Sequence, residues 1–348
     1  MTPALDVLDA DVVRSGRRAQ RRRSAVVTSV LALVVLGLCV LTLMIGSYAV
    51  PAPDVIASLL RLKDDAPTDF VVRDLRLPTV ATGLGVGIAL GVAGVVFQKV
   101  LGNPLASPDF VGVSSGASVL AVSSIVLLDA GSTVVSGSAL AGAVLTAALI
   151  YVLAWRDGIS GYRFVLIGIG VSQFMLAIIG YIVARADVYE AREAMTWLVG
   201  TVGQAGTGEL RTLLVALVVL VPTALLLERP LRALELGDDA ATALGSRVEV
   251  SRLALLALSI VLIGLSVAVA GPIMFVALIA GPIAQRLTGP GGSLLAAGLV
   301  GAVIVLGADL VAQHLVPAPL PTGVVTGIVG APYLIWLLAT VNREGRGG

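Results

Sequence analysis

Asp309, in the run Leu-Gly-Ala-Asp-Leu-Val-Ala-Gln, is the one carboxylate that the sequence sets deep among apolar residues. An ionisable group at membrane depth is a functional candidate by default, because it is costly to hold there. The same position suits a helix-to-helix hydrogen bond or a cap equally well. Intramembrane catalysis needs paired acid and base groups, and no partner for Asp309 is evident. The single histidine, His314, falls near a helix end, and Lys99 sits where its amine can snorkel to an interface. Cys39 is the only cysteine and lies in an apolar run, so it makes neither an internal disulfide nor a zinc site. Proton- or sodium-driven carriers generally use more buried ionisable groups than this, which points to another energy source, with an ATP-independent secondary carrier or channel acting alone as the alternative from another class. No Gly-x-x-x-x-Gly-Lys-[Ser/Thr] phosphate loop is present, so any nucleotide-driven step must come from a partner.

The most unusual stretch is Gln98 to Ser118, Gln-Lys-Val-Leu-Gly-Asn-Pro-Leu-Ala-Ser-Pro-Asp-Phe-Val-Gly-Val-Ser-Ser-Gly-Ala-Ser. Long apolar runs flank it. Asn-Pro marks a turn, and each proline pushes the residue before it out of the helical region. One membrane segment must therefore stop near Leu101 and another start near Asp109, with a polar elbow between them. It holds too many special backbone residues for a plain connector.

The elements around it are membrane helices. The chain is 57% hydrophobic and 13% charged, with a mean hydropathy of +1.00, where soluble domains are about 25% charged. Forty glycines and sixteen prolines suit close helix packing and broken helices. A net charge of +1 gives no reason to expect a nucleic-acid partner. Arg14, Arg17, Arg18 and Arg21 to Arg23 precede the apolar run Ala25 to Ile45. That run exceeds the about 7–15 residues of a signal peptide's apolar region, so it reads as a retained first span. Ten spans are expected, near 25–45, 80–101, 110–128, 133–154, 163–184, 211–227, 252–271, 273–286, 294–316 and 322–341. The eighth is too short to cross unaided and follows Gly271-Pro272, where a helix should break. The fold class is thus an all-α polytopic membrane protein: a basic tail over 1–24, a membrane domain over 25–341 and a tail over 342–348. With both tails in the cytoplasm, sixteen Lys/Arg fall inside and seven outside, in the direction of the positive-inside bias.

Two further patterns stand out. Gly83, Gly87 and Gly91 lie four apart, as do Ala81, Gly85, Ala89 and Ala93. Residues so spaced share helix faces and admit a neighbouring backbone. The internal cytoplasmic loop over 228–251 holds a short amphipathic helix. Asp238 and Asp239 open it, where carboxylates suit the dipole, Gly245 closes it, and Ala240, Ala241 and Leu244 form its apolar face. Such a helix can lie on a membrane or dock into a soluble partner. Its acidic start weakens the membrane option.

Several stretches, in colinear order, resemble the permease subunits of iron-siderophore and vitamin B12 ABC importers, the FecCD/BtuC-like family. They are Arg73-Asp-Leu-Arg76-Leu-Pro-Thr, Gly91 to Gln98 running into Asn103 to Ala117, and Met195-Thr-Trp197-Leu-Val-Gly200-Thr. Leu236 to Gly245, Gly271-Pro-Ile-Met-Phe-Val-Ala-Leu, Gly307-Ala-Asp309 and Leu320 to Leu338 complete the set. The resemblance implies ten helices and a type II importer architecture. It implies a second permease subunit (heterodimer or homodimer), two cytoplasmic ATP-binding subunits that hydrolyse ATP with Mg, and an extracytoplasmic binding protein. No cofactor or metal is expected on this chain itself.

Roles follow from the same resemblance. Arg73 and Arg76 would meet the binding protein. Gln98, Asn103 and Leu105 would belong to the inner gate, with Gly161 and Tyr162 in a second gate segment, Ser160-Gly161-Tyr162-Arg163. Leu236, Gly237, Asp238, Asp239, Ala240, Ala241, Leu244 and Gly245 would couple to the ATPase. The cargo implied is a ferric siderophore, with cobalamin or haem as the alternative. Departures from the family's pattern are Gln313 and Thr79, where an arginine is usual, Ile283 for histidine, and Tyr162 where small hydroxyl residues are common. They suit one half of a heterodimer whose partner keeps the missing groups.

Overall fold

The computed structural model describes residues 10–63, 65–109, 111–156, 161–289 and 292–344, and the elements among them are helical. The first span and most of the basic tail form one continuous helix, α1 (Ala10–Met44), so no break marks the expected boundary at residue 24. The loop that follows is itself structured, as α2 (Ala52–Leu59), α3 (Ala66–Asp69) and a π-helical stretch Phe70–Arg76 that runs into α4 (Leu77–Val100). Prolines at the starts of α2 and α3 supply the fixed φ that favours helix entry. Then come α5 (Val113–Leu128), α6 (Ser132–Ala154), α7 (Gly161–Arg185), α8 (Val188–Val199), a single 3₁₀ turn Val202–Gln204 and α9 (Thr207–Leu226). The chain closes with α10 (Glu228–Leu234), α11 (Asp238–Ala243), α12 (Val248–Ala270), α13 (Val276–Thr288), α14 (Leu294–His314) and α15 (Thr322–Glu344).

All ten expected membrane segments are present. Among the described residues, seven helices are long and apolar enough to cross a bilayer, while α5 and the Thr322–Leu337 part of α15 are shorter apolar stretches. The tenth, α13, has 13 residues, or about 20 Å of rise, and reaches only part of the way across. It starts where expected: α12 ends at Ala270, Gly271 takes a φ of +68°, and the chain stays out of helix until Val276.

The core is built around α4, which packs against α14, α12, α13 and α9. The small-residue ladder explains how. A methyl group on Gly87 would fall 2.5 Å from the Ala302 Cα; one on Gly91 would land on the Ala297 carbonyl oxygen, and one on Gly94 on that of Ala277. Gly85 takes the side chains of Leu213 and Leu217 from α9. Backbones this close gain dispersion contacts that larger residues would forbid. By contrast α7 and α9 bury few side chains and present broad apolar faces outward.

A second close crossing lies at the opposite end from the basic tail. Gly200, Gly271 and Gly323 bring the ends of α8 and α12 together with the start of α15. A methyl on Gly271 would fall 2.5 Å from the Trp197 carbonyl oxygen, and one on Gly200 2.5 Å from that of Pro272. Backbone bonds tie the crossing, Gly323 N–H to Gly200 O at 3.0 Å and Thr201 N–H to Ala270 O at 2.7 Å. The spacing of Trp197 and Gly200 noted in the sequence is therefore a packing requirement.

Candidate gate and coupling site

The elbow after α4 is shaped residue by residue. Gly102 adopts a φ of +61°, and the Asn103 carboxamide oxygen accepts the Leu105 N–H at 2.9 Å, a side-chain mimic of a turn. The chain then runs back into the bundle. The Asp109 carboxylate accepts the Ser114 hydroxyl at 2.8 Å, fixing the first turn of α5, and Gly112 enters that helix at a φ of +98°. Ser115 shares a 2.7 Å hydrogen bond with Ser172 of α7, and a methyl on Gly116 would collide with Thr146 of α6. The Gly-Val-Ser-Ser-Gly run thus binds the elbow to α6 and α7 by its own side chains.

At the foot of α4 a cavity of about 490 Å³ collects the groups that the sequence set far apart. Gln98, Asn103 and Gly161 line it, together with Gly237 and Asp238 from the start of α11. Gln98 is buried and donates to the Leu278 carbonyl at 2.9 Å, pinning α4 to α13. Gly161 sits so close to the Leu101 carbonyl that no side chain fits, so the elbow and the start of α7 touch backbone to backbone. Leu105 is half-buried in the elbow, and Tyr162 is 79% exposed, neither on the cavity wall. Ser160 lies outside the described residues.

Two ion pairs join this cavity to the loop helices. Lys99 bonds Glu235, just past α10, at 2.8 Å, so its amine is held by a carboxylate rather than left to snorkel. Arg252 of α12 is nearly buried and reaches Asp238 at 2.6 Å and Glu249 at 2.9 Å. Asp238 therefore does more than favour the helix dipole: it tethers α11 to a spanning helix. The guanidinium's fork suits two acceptors at once. Sequence reasoning missed Glu235, whose partner Lys99 lies far off in sequence, and Arg252, whose local pair with Glu249 was visible but whose contact with Asp238 exists only once α11 folds beside α12. The helix itself is shorter than 236–245, with Gly237 and Gly245 at φ of +94° and +80° bounding Asp238–Ala243. Ala241 is fully buried against the body, whereas Leu236 and Leu244 are exposed by 65% and 68%. Asp239 is exposed and Ala240 half-buried.

About 36 Å away, at the other end of α4, Arg73 and Arg76 turn onto their own chain. Arg73 donates to the Ser58 carbonyl and lies 3.8 Å from Asp69. Arg76 donates to the Leu43 carbonyl at 2.7 Å and to that of Tyr48, closing the end of α1 onto the loop. Arg76 also lines an open cavity of about 580 Å³ with Asp309, Gln313 and His314. Asp309 is buried and accepts the Thr322 hydroxyl at 2.9 Å, joining α14 to α15. The partner that the sequence did not reveal is thus a hydroxyl, and the contact is the helix-to-helix bond. The loop 185–211 contains α8, whose capping box of Asp187 and Glu190 is a start signal legible in the sequence.

Comparison with known proteins places this arrangement. The chain is 39% identical over 303 residues to the ferric enterobactin transport system permease protein FepG of Escherichia coli, covering 86% of this chain and 91% of that one. It is 37% identical to the achromobactin transport system permease protein CbrC of Dickeya dadantii, covering 94% and 95%. It is also 37% identical to the hemin transport system permease protein HmuU of Yersinia pestis, covering 79% and 84%. A metal-chelate type ABC transporter solved in an inward-facing conformation superposes with a TM-score of 0.79 at 26% identity, over 91% of this chain and 99% of that one. The FecCD transport family matches residues 32–340. With its ten helical segments, broken α12–α13 pair and glycine-packed α4 inside that match, the chain belongs to the FecCD transport family, the membrane permeases of ABC importers.

Proposed function

We propose that the chain is one transmembrane half of a binding-protein-dependent importer of ferric siderophores. The basic end, where Ala10 and Glu344 both lie, faces the cytoplasm in this reading, and the membrane is the cytoplasmic (inner) membrane. Two partner ATPases hydrolyse ATP with Mg beneath it. A binding protein docks on the outer rim, on loops that Arg73 and Arg76 hold in shape. The observation that carries the mechanism is the cavity at the foot of α4. There the elbow, Gly161 and the start of α11 share one wall, and Lys99–Glu235 and Arg252–Asp238 cross it. Closure of the ATPases moves α11, whose exposed Leu236 and Leu244 face the partner. Through the two ion pairs the motion reaches α4, α12 and the elbow, opening one end of the pathway as the other shuts, a two-state change biased from a distance.

The siderophore cargo is supported by the enterobactin and achromobactin permeases among the relatives; the hemin permease keeps haem as the second reading. Competitive uptake of radiolabelled ferric siderophores, haem and cobalamin, in cells lacking this chain and in cells with it restored, tests the assignment. Ferric siderophore uptake should fall to background and return on restoration. Loss of haem or cobalamin uptake alone would overturn it.

A further inference from the structure

Residues 14–23 hold six arginines and no acidic residue, and they lie ahead of the family match that begins at residue 32. In the structure they belong to the same unbroken helix as the first span. At about 100° per residue, Arg18, Arg21 and Arg22 fall within one arc of roughly 100°, and all three are exposed. The other side of the helix is occupied. Gln20 donates to the Thr288 carbonyl at 2.8 Å, and Arg23 to the Leu287 and Arg286 carbonyls at 3.0 and 3.1 Å. These are acceptors in the last turn of α13, which that helix cannot satisfy itself. The clamp fixes the rotation of α1 and so decides which arginines point away from the protein.

That outward arc continues along the helix as Ala25, Ser29, Leu33 and Leu36, all exposed, with Leu33 and Leu36 at 68% and 60%. One face therefore passes from guanidinium to apolar side chains at Ala25. Arg22 and Arg18 lie about 5 and 10 Å beyond that point along the axis, at the level of the polar headgroup layer. We infer that this face of α1 binds the headgroups of anionic phospholipids, held in place by the Gln20–Arg23 clamp on α13. Cationic side chains beside a spanning helix are suited to this by their attraction to the negative charge of the headgroup layer, to which lysine and arginine contribute alike. The inference needs only that α1 crosses a membrane, and not the permease mechanism above.

Native mass spectrometry of the full chain in detergent, titrated with phosphatidylglycerol or with phosphatidylcholine, reads the site directly and requires no ATPase or transport. Wild type should retain phosphatidylglycerol in preference. The triple variant R18Q/R21Q/R22Q should weaken that retention by about fivefold per arginine, about a hundredfold in all. The matched R18K/R21K/R22K variant, which preserves charge, should keep most of it, and both variants should show wild-type helical content by circular dichroism. Equal retention of the two lipids by wild type, or unchanged phosphatidylglycerol retention in the glutamine variant, overturns the inference. So does loss of retention in the lysine variant.

Discussion

At the scale of single residues, Asp309 shows how a polar group can be buried for structure. Its carboxylate accepts the Thr322 hydroxyl, and Thr322 Oγ1 lies 3.4 Å from the Thr201 hydroxyl and from the Val202 N–H. One short cluster thus ties α14, α15 and the turn after α8. An amide can still accept that hydroxyl, so Asp309→Asn should leave uptake within about twofold of wild type. Asp309→Ala removes the short-range acceptor of the buried Thr322 hydroxyl, leaving only its long contacts at 3.4 Å, and should cost about 1–3 kcal/mol of stability, read as a lower midpoint in denaturant unfolding in detergent. Abolished uptake in the asparagine variant with unchanged stability would instead make the carboxylate's charge part of transport. The sequence showed that Asp309 was buried but not what it met, because Thr322 sits on another helix. The same holds for Arg252, which reads as an ordinary helix-start cation until α11 folds beside it.

At the scale of elements, the break after α12 and the embedding of α4 were legible, since Gly-Pro and four-residue glycine spacing act through the local backbone. The helices α2, α8 and α10 were not drawn from the sequence, although Pro51–Pro53 and the Asp187–Glu190 box are local start signals. Short amphipathic helices at an interface have weak periodicity, and packing rather than propensity decides whether they form. For α11, the exposed Leu244 and the left-handed Gly245 make a specific prediction. Leu244→Asp places a charge on the exposed surface proposed above to meet the ATPase, and Gly245→Pro forces φ from +80° to a negative value that the turn cannot take. Each should abolish uptake while the protein still inserts and purifies at wild-type yield. Normal uptake in either would remove α11 from the coupling path.

At the scale of the whole molecule, the two ends of the bundle have different characters. The basic end gathers the elbow, the end of α10 and the start of α11 around one cavity, with the foot of α1 clamped to the end of α13, whereas the opposite end is held by loop helices and carbonyl-bound arginines. Outward apolar faces on α7 and α9 leave room for a second permease subunit and for lipid. With Gln313 where the family usually has arginine, the outer rim lacks a charge that a partner half can restore. Co-expression with ATPase and binding protein should therefore give no uptake until a second, different permease is added; uptake by two copies of this chain alone would refute the heterodimer. The crossing of Gly200, Gly271 and Gly323 bears on how such a chain can change over generations. Every amino acid that one base change can make from a glycine codon carries a Cβ atom, and there is no space for one at any of the three positions. The obstructing atoms are backbone carbonyl oxygens, which no replacement on the neighbouring helix removes, so the crossing should drift more slowly than the exposed faces.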